Sequence, residues 1–194
     1  MDPDTITVVS GLPRSGTSMM MKMLEAGGLP VLTDNLRVAD ADNPKGYFEF
    51  ERVKKLEHDH GWLPEAKGKV VKVISALLRH LPSTCRYRIV FVRREMAEIL
   101  ASQRQMLIRR GRAADANAGD DAKMAEAFGR HLTEVEAWLA RQPNMQVLYV
   151  TYNEILKRPA EETARINKFF ADTLNAAAME QVVDQALHRQ RRDS

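Results

Sequence analysis

The chain has 194 residues, 44% of them hydrophobic and 28% charged, which predicts one soluble globular domain over residues 1–194. A formal net charge of +3 is too small to predict a nucleic-acid partner. The sequence contains no apolar run of about 18 residues, so it predicts no transmembrane segment. A single cysteine, Cys85, excludes an internal disulfide. The N-terminal residues also lack the basic and then apolar pattern of a signal peptide. Together with the single cysteine, this favours a cytoplasmic protein.

The first part of the chain predicts a strand, a helix and then less regular structure. Ile6, Val8 and Val9 are β-branched and typical of a buried parallel strand that stops at Gly11. The elements predicted next are a helix at Ser18–Ala26 that ends at Gly27-Gly28, a short strand at Pro30–Leu32, a polar loop at Asp34–Phe48, a helix at Glu51–His60 and a strand at Val70–Ile74.

The rest of the chain continues the alternation of strands and helices. It predicts a turn around Pro82, a strand at Ile89–Val92 ending on Arg93-Arg94, a helix at Ala97–Arg109, a loop at Gly111–Asp121, an amphipathic helix at Met124–Leu139, a strand at Val147–Val150, and closing helices at Ala160–Phe170 and Met179–Leu187. This alternation predicts a three-layer α/β fold with a mostly parallel central sheet flanked by helices.

The segment Gly11–Ser18 (the phosphate loop, Gly-Leu-Pro-Arg-Ser-Gly-Thr-Ser) joins the first predicted strand to the first predicted helix. A loop that enters a helix N-terminus directs backbone N–H groups and the positive end of the helix dipole at one point, which favours phosphate. Its two glycines permit close approach of the backbone to a ligand. Its polar side chains are three hydroxyls and one guanidinium, those of Ser15, Thr17, Ser18 and Arg14.

This loop is close to the nucleotide-binding pattern G-x-x-x-x-G-K-[ST], but Thr17 occupies the place of the lysine. The strand Ile89–Val92 ends in arginines and the strand Val147–Val150 ends in Thr151-Tyr152, so neither supplies an aspartate for Mg²⁺. The pattern therefore predicts a phosphate ligand bound without a metal. A P-loop nucleotide kinase or phosphotransferase, and a non-catalytic nucleotide-binding protein of the same fold, are the alternatives.

Several segments resemble the sulfotransferases that use 3′-phosphoadenosine 5′-phosphosulfate (PAPS), and they follow one another in the family's order. The matching segments are Leu12–Ser18 for the 5′-phosphosulfate loop, Phe91–Arg94 with Ile99–Ser102 for the 3′-phosphate site, Asn43–Glu49 for a segment of the bacterial branch, and Val147–Leu156 for a later strand and turn.

The resemblance implies transfer of a sulfuryl group from PAPS to a hydroxyl or amine acceptor, with 3′,5′-adenosine bisphosphate (PAP) as product and no metal. Arg14 would stabilise the departing phosphate, and Lys72 would reach the sulfuryl group unless it is a strand-edge surface lysine. The implied nucleotide ligands are Pro13, Arg14, Ser15, Gly16, Thr17, Ser18, one or both of Arg93 and Arg94, and Ser102. One of the two arginines has an alternative partner in Glu95 or Glu98.

The base that deprotonates the acceptor is not defined by the resemblance. The family's cytosolic branch has a histidine two positions after the strand lysine, and that position is Ile74 here. Glu49 is the first candidate, with a salt-bridging or capping role as its alternative, and His58 and His60 follow.

The sequence does not define the acceptor, and a carbohydrate, a lipid or a small hydroxyl compound would each fit. We expect the loops Asp34–Phe48 and Gly111–Asp121 to shape its site. The basic residues near the C-terminus, Arg189, Arg191 and Arg192, either replace part of a basic loop that closes over the nucleotide in relatives or form a frayed tail.

Overall fold

A computed structural model describes residues 2–34, 36, 48–109 and 118–183. Within these ranges the elements are, in order, β1 (Thr5–Gly11), α1 (Thr17–Ala26), α2 (Leu63–Ala66), β2 (Val70–Lys72), β3 (Arg86–Arg93), α3 (Met96–Arg109), α4 (Ala118–Leu139), β4 (Met145–Thr151), α5 (Tyr152–Lys157), α6 (Pro159–Phe169) and α7 (Ala176–Gln181). One 3₁₀ turn precedes α2 at Glu51–Lys55, and another follows β2 at Ser75–His80.

The strands form one parallel sheet in the order β2-β1-β3-β4. Val8 of β1 lies beside Val71 of β2 on one side and Ile89 of β3 on the other. Because all the strands run in the same direction, their C-terminal ends share one edge, where α/β folds bind their ligands. The prediction of an α/β fold with a parallel sheet flanked by helices is confirmed.

Apolar side chains cover both faces of the sheet. On one face, called here the α4 face, Val8, Ile89 and Phe91 pack with residues of α4 and of both 3₁₀ turns. On the other, the α1 face, Val9 and Val92 pack with residues of α1, α5, α6 and α7. Burial on both faces explains why the strands are nearly continuous apolar runs. None of the described helices is long and apolar enough to cross a bilayer.

Two predicted elements in the first half are wrong. The helix predicted at Glu51–His60 is a 3₁₀ turn ending at Lys55, because the Asp59 carboxylate accepts from both Arg52 and the Gly61 backbone N–H and turns the chain. The strand predicted at Pro30–Leu32 is a single bridge between Val31 and Val70, and so adds no strand to the sheet.

Two boundaries in the second half are also wrong. The loop predicted at Gly111–Asp121 is helical from Ala118 onward, since Asp121 forms an ion pair with Arg104 of α3 that ties this end of α4. The final helix, predicted at Met179–Leu187, is α7, which ends at Gln181 with a turn of i to i−3 bonds. Residues 184–194 lie outside the described part of the chain.

Two glycines flank α1 with almost the same backbone conformation, φ 102° at Gly16 and φ 101° at Gly28. A Cβ at Gly16 would lie 2.4 Å from Cδ2 of Tyr152, whereas a Cβ at Gly28 would have no atom within 4 Å. Replacement by alanine therefore imposes the same backbone strain at both positions but a steric clash only at Gly16.

We expect Gly28→Ala to lower the free energy of unfolding by about 1–2 kcal/mol, the cost of the left-handed conformation. Gly16→Ala should lower it by a further 1–3 kcal/mol or so, because the Tyr152 ring must move. Urea unfolding of both variants measures the difference, and equal losses of stability would contradict this account of the Gly16–Tyr152 contact.

Candidate functional site

The phosphate loop leaves β1 at the C-terminal edge of the sheet and enters α1. Gly16 is the N-cap of α1, and among the described residues no side chain caps that end and no acidic residue lies in its first turn. Ser10 Oγ and Ser15 Oγ are buried there without a hydrogen-bond partner in the described part of the chain. Buried hydroxyls are ordinarily bonded, so an uncapped helix N-terminus beside two unsatisfied hydroxyls fits an anionic ligand.

Arg14 lies in the middle of this loop in a left-handed conformation, with φ 71°. Its Nε donates to Ser102 Oγ of α3 at 2.9 Å. Ser102 is buried, with 7% of its surface exposed. The structure thus brings together two side chains, 88 residues apart, that the sequence assigns to the nucleotide site.

Arg94 contacts the backbone of this loop. Its Nη1 donates to the carbonyl of Arg14 at 3.1 Å, and its Nε donates to Oε2 of Glu98 at 2.8 Å. The other Glu98 oxygen accepts from Asn153 Nδ2 at 2.8 Å, and the Arg94 guanidinium lies 4.4 Å from the centroid of the Tyr152 ring. Arg94 and Glu98 expose only 9% and 7% of their side chains. These three residues, Arg94, Glu98 and Asn153 (the Arg94 lock), hold Arg14 in its strained conformation.

Arg93 points to the opposite face of the sheet. Its Nε and Nη2 form a bidentate pair with Glu136 of α4 at 2.9 and 2.7 Å, and its guanidinium lies 4.2 Å from the Tyr149 ring centroid. Burial is also the main reason that the pKa of Tyr149 is raised. Of the two arginines that the sequence could not separate, the structure therefore brings Arg94, not Arg93, to the phosphate loop.

Lys72 is the last residue of β2 and points to the α1 face. Its Nζ donates to Ser18 Oγ, in the first turn of α1, at 3.3 Å. The strand pairing explains this position, because Lys72 lies beside Val9 of β1, two residues before the phosphate loop begins. Its ammonium group therefore contacts the phosphate loop directly.

Glu49 lies beside the segment that follows α1. Its backbone carbonyl accepts from Thr33 Oγ1 at 2.8 Å, and Thr33 lies two residues beyond the bridge between Val31 and Val70. Glu49 is therefore on the β2 side of the sheet, and its side chain is half-buried. The rest of its segment, residues 43–47, lies outside the described residues, as do Arg189, Arg191 and Arg192.

The two histidines named as alternative bases lie away from the loop. His58 is highly exposed and its ring lies 3.7 Å from the carboxylate of its neighbour Glu57. His60 Nε2 bonds the backbone carbonyl of His80, at the far end of the 3₁₀ turn Ser75–His80. Among the described residues, neither histidine contacts the phosphate loop.

The residues that sequence reasoning missed are those that support the loop. Tyr152 packs against Gly16 and Arg94, and Asn153 fixes Glu98. Both lie where β4 passes into α5, a segment noted only as a matching strand and turn. The spacing of Arg94 and Glu98, four residues apart where β3 passes into α3, was the available signal for their pair. No cluster of three His, Cys, Asp or Glu that could hold a metal occurs among the described residues.

The chain matches the family model of the sulfotransferase domain over residues 3–193. No curated protein matches it by sequence. Among solved structures it is similar to the sulfotransferase domain of the Synechococcus PCC 7002 olefin synthase, with 14% identity and a TM-score of 0.53 over 98% of this chain and 84% of that one.

Two further structures show the same likeness. Mouse sulfotransferase SULT7A1, complexed with PAP, has 14% identity and a TM-score of 0.58 over 94% of this chain and 64% of its own. The sulfotransferase domain of the curacin biosynthetic pathway has 16% identity and a TM-score of 0.51 over 86% of this chain and 74% of its own. At these identities the likeness establishes the fold.

The Arg94 lock yields a stability prediction. We expect Glu98→Gln to lower the free energy of unfolding by about 3 kcal/mol, because it leaves the buried Arg94 guanidinium without its counter-charge. Glu95→Gln is the matched control: Glu95 is exposed three residues earlier, and we expect a change below about 0.5 kcal/mol. Denaturant unfolding measures both, and equal stability of the two variants would contradict the lock.

Proposed function

Because the chain belongs to the sulfotransferase domain family, we propose that it moves the sulfuryl group of PAPS to a hydroxyl or amine acceptor. The observation that carries the proposal is that Ser102 of α3 and Lys72 of β2 both contact side chains of the phosphate loop, Arg14 and Ser18. The proposed acceptor is a small molecule, a carbohydrate or a lipid rather than nucleic acid, and the proposed location is the cytoplasm.

In this proposal the phosphate loop holds the 5′-phosphosulfate of the donor. The backbone N–H groups at the start of α1 point along the helix axis towards the ligand, and the helix dipole adds positive charge there. The hydroxyls of Ser15, Thr17 and Ser18 can donate further hydrogen bonds. Because the buried Ser15 hydroxyl has no partner among the described residues, the loop has hydrogen-bonding capacity that a bound anion can use.

The 3′-phosphate would be held beside the loop by Ser102 and the guanidinium of Arg14, while Arg94 holds the backbone carbonyl of Arg14. Ser102 Oγ already lies 2.9 Å from Arg14 Nε, so a phosphate oxygen at this point meets a hydroxyl and a cation together. A nucleotide without a 3′-phosphate loses these interactions, which makes the site selective for PAP and PAPS.

The donor supplies a sulfuryl group attached to a phosphate leaving group. Negative charge builds up on the leaving phosphate and on the sulfuryl oxygens during transfer, and fixed positive charges stabilise it best. Lys72 contacts Ser18 of the loop from β2, and Arg14 belongs to the loop itself. Lys72 is the residue we propose to act on the transferred group, and Arg14 the residue for the departing phosphate.

A nucleotide titration tests the 3′-phosphate site. We expect Ser102→Ala to raise the Kd for PAP about tenfold or more, since a hydrogen bond to a charged phosphate contributes about 1.5–3 kcal/mol. The Kd for AMP should not change. Arg93→Ala should leave both values unchanged, because Arg93 lies on the α4 face. A loss of PAP selectivity in Arg93→Ala, with none in Ser102→Ala, would reverse the assignment.

Transfer kinetics test the role of Lys72. We expect Lys72→Met to lower kcat for transfer from ³⁵S-labelled PAPS about 10²–10³-fold, the usual effect of removing one charge-stabilising donor. The Kd for PAP should change little, since PAP lacks the sulfuryl group. Lys69→Met is the matched control. That lysine lies three residues earlier, and its ammonium group is 3.9 Å from a carboxylate oxygen of Glu65. Full activity of Lys72→Met would remove Lys72 from the mechanism.

A further inference from the structure

The sheet brings Ser75 to the level of the phosphate loop. The pairing of Val9 with Lys72 continues past β2, where the backbone N–H of Val73 donates to the Val9 carbonyl at 3.0 Å. Continuing this register places Ile74 beside Gly11, so that Ser75 follows at the start of the loop. The 3₁₀ turn that begins at Ser75 contacts β1.

Ser75 is joined to a histidine that no sequence pattern marked. Its Oγ lies 2.9 Å from Nε2 of His131, in α4, and 1% of Ser75 is exposed while His131 is half-buried. Nδ1 of the same ring has no hydrogen-bond partner among the described residues. A ring held at one nitrogen, with the other nitrogen open, has the arrangement of a positioned base.

The direction of α4 places His131 at the ligand-binding edge. α4 runs towards the start of β4, and Glu136 already reaches Arg93 at the C-terminal end of β3. His131 lies five residues before Glu136. It is therefore about 7.5 Å from Glu136 along the helix axis, in the direction away from the start of β4. It therefore lies on the α4 face, across the sheet from Lys72 and α1.

Burial lowers the pKa of His131 below its ordinary value, and the nearby Arg79 of the 3₁₀ turn lowers it further, against an opposing effect of Glu134 on α4. Arg79 and Glu134 pair with each other at 3.3 Å. Arg104 of α3 also faces α4, where it is paired with Asp121. The lowered pKa favours the neutral imidazole, the form that can accept a proton.

We propose that His131, held by Ser75, is the base that deprotonates the acceptor, a role that rests on the sulfotransferase function proposed above. The acceptor oxygen forms a bond to sulfur as its proton passes to Nδ1 of His131. The bond between sulfur and the bridging oxygen breaks, and its electron pair stays on the phosphate of PAP. The imidazolium then releases the proton to solvent. In-line transfer requires acceptor and leaving phosphate on opposite sides of the sulfur, and His131 and Lys72 approach from opposite faces of the sheet.

The test compares transfer from PAPS to two probe phenols in mildly alkaline buffer, 2-naphthol, which is still protonated there, and 4-nitrophenol, which is largely ionised there. His131→Gln should lower kcat with 2-naphthol about 100-fold or more, and kcat with 4-nitrophenol at most about threefold, because an ionised acceptor needs no base. His80→Gln, on the 3₁₀ turn that carries Ser75, is the control and should leave both unchanged.

The pH profile gives a second readout. With 2-naphthol, kcat of the wild type should fall as the pH drops through the pKa of His131, below about 6.5, because the protonated ring accepts no proton. This acid limb should be absent from His131→Gln and shifted in Ser75→Ala. A purely structural histidine would lower kcat equally for both phenols and leave the limb in place.

The rival base gives the opposite outcome. The role of His131 would be overturned if Glu49→Gln lowered kcat selectively with 2-naphthol and His131→Gln did not. It would also be overturned if His131→Gln lowered kcat equally with both phenols. PAP titration separates this failure from that of the proposed function. A wild-type chain that does not bind PAP contradicts the nucleotide site itself, whereas PAP binding that is unchanged in His131→Gln leaves that site intact.

Discussion

The buried pair of Arg94 and Glu98 is the interaction on which the site depends. A loop that binds phosphate must point its N–H groups inward, and at Arg14 this requires a left-handed backbone that few non-glycine residues adopt. Arg94 binds the carbonyl at that position, Glu98 neutralises Arg94, and Asn153 fixes Glu98. The loop is therefore pre-organised by side chains from the residue after β3, from α3 and from α5, so a ligand need not supply the energy to shape it.

In the proposed mechanism the two faces of the parallel sheet have different tasks. Lys72 on the α1 face and Ser102 of α3 contact the phosphate loop, where they would offer positive charge and hydrogen bonds to an anion. On the α4 face, Ser75 positions the imidazole of His131. The C-terminal edge lies between them, so a group transferred across that edge would have a cationic side for its leaving phosphate and a basic side for its acceptor.

The sequence predicts the strands and the loop well because each has a local cause. The run Ile6–Val9 is apolar because both faces of β1 are buried, and Gly16 is required where Tyr152 closes on the loop. The roles of Arg93 and Arg94 were not predictable, since adjacent strand residues point to opposite faces and only the partners, Glu136 and Glu98, distinguish them. His131 was missed because its partner Ser75 is 56 residues away.

The central claim is that the phosphate loop binds a nucleotide carrying phosphate at both the 5′ and 3′ positions without a metal. Calorimetric titration of the wild-type chain with PAP and with AMP, in buffer containing EDTA, tests it most directly. The account predicts a Kd for PAP at least about tenfold below that for AMP, from charge-assisted hydrogen bonds to the 3′-phosphate. Equal affinities for the two nucleotides, or PAP binding that is lost in EDTA and restored by Mg²⁺, would contradict it.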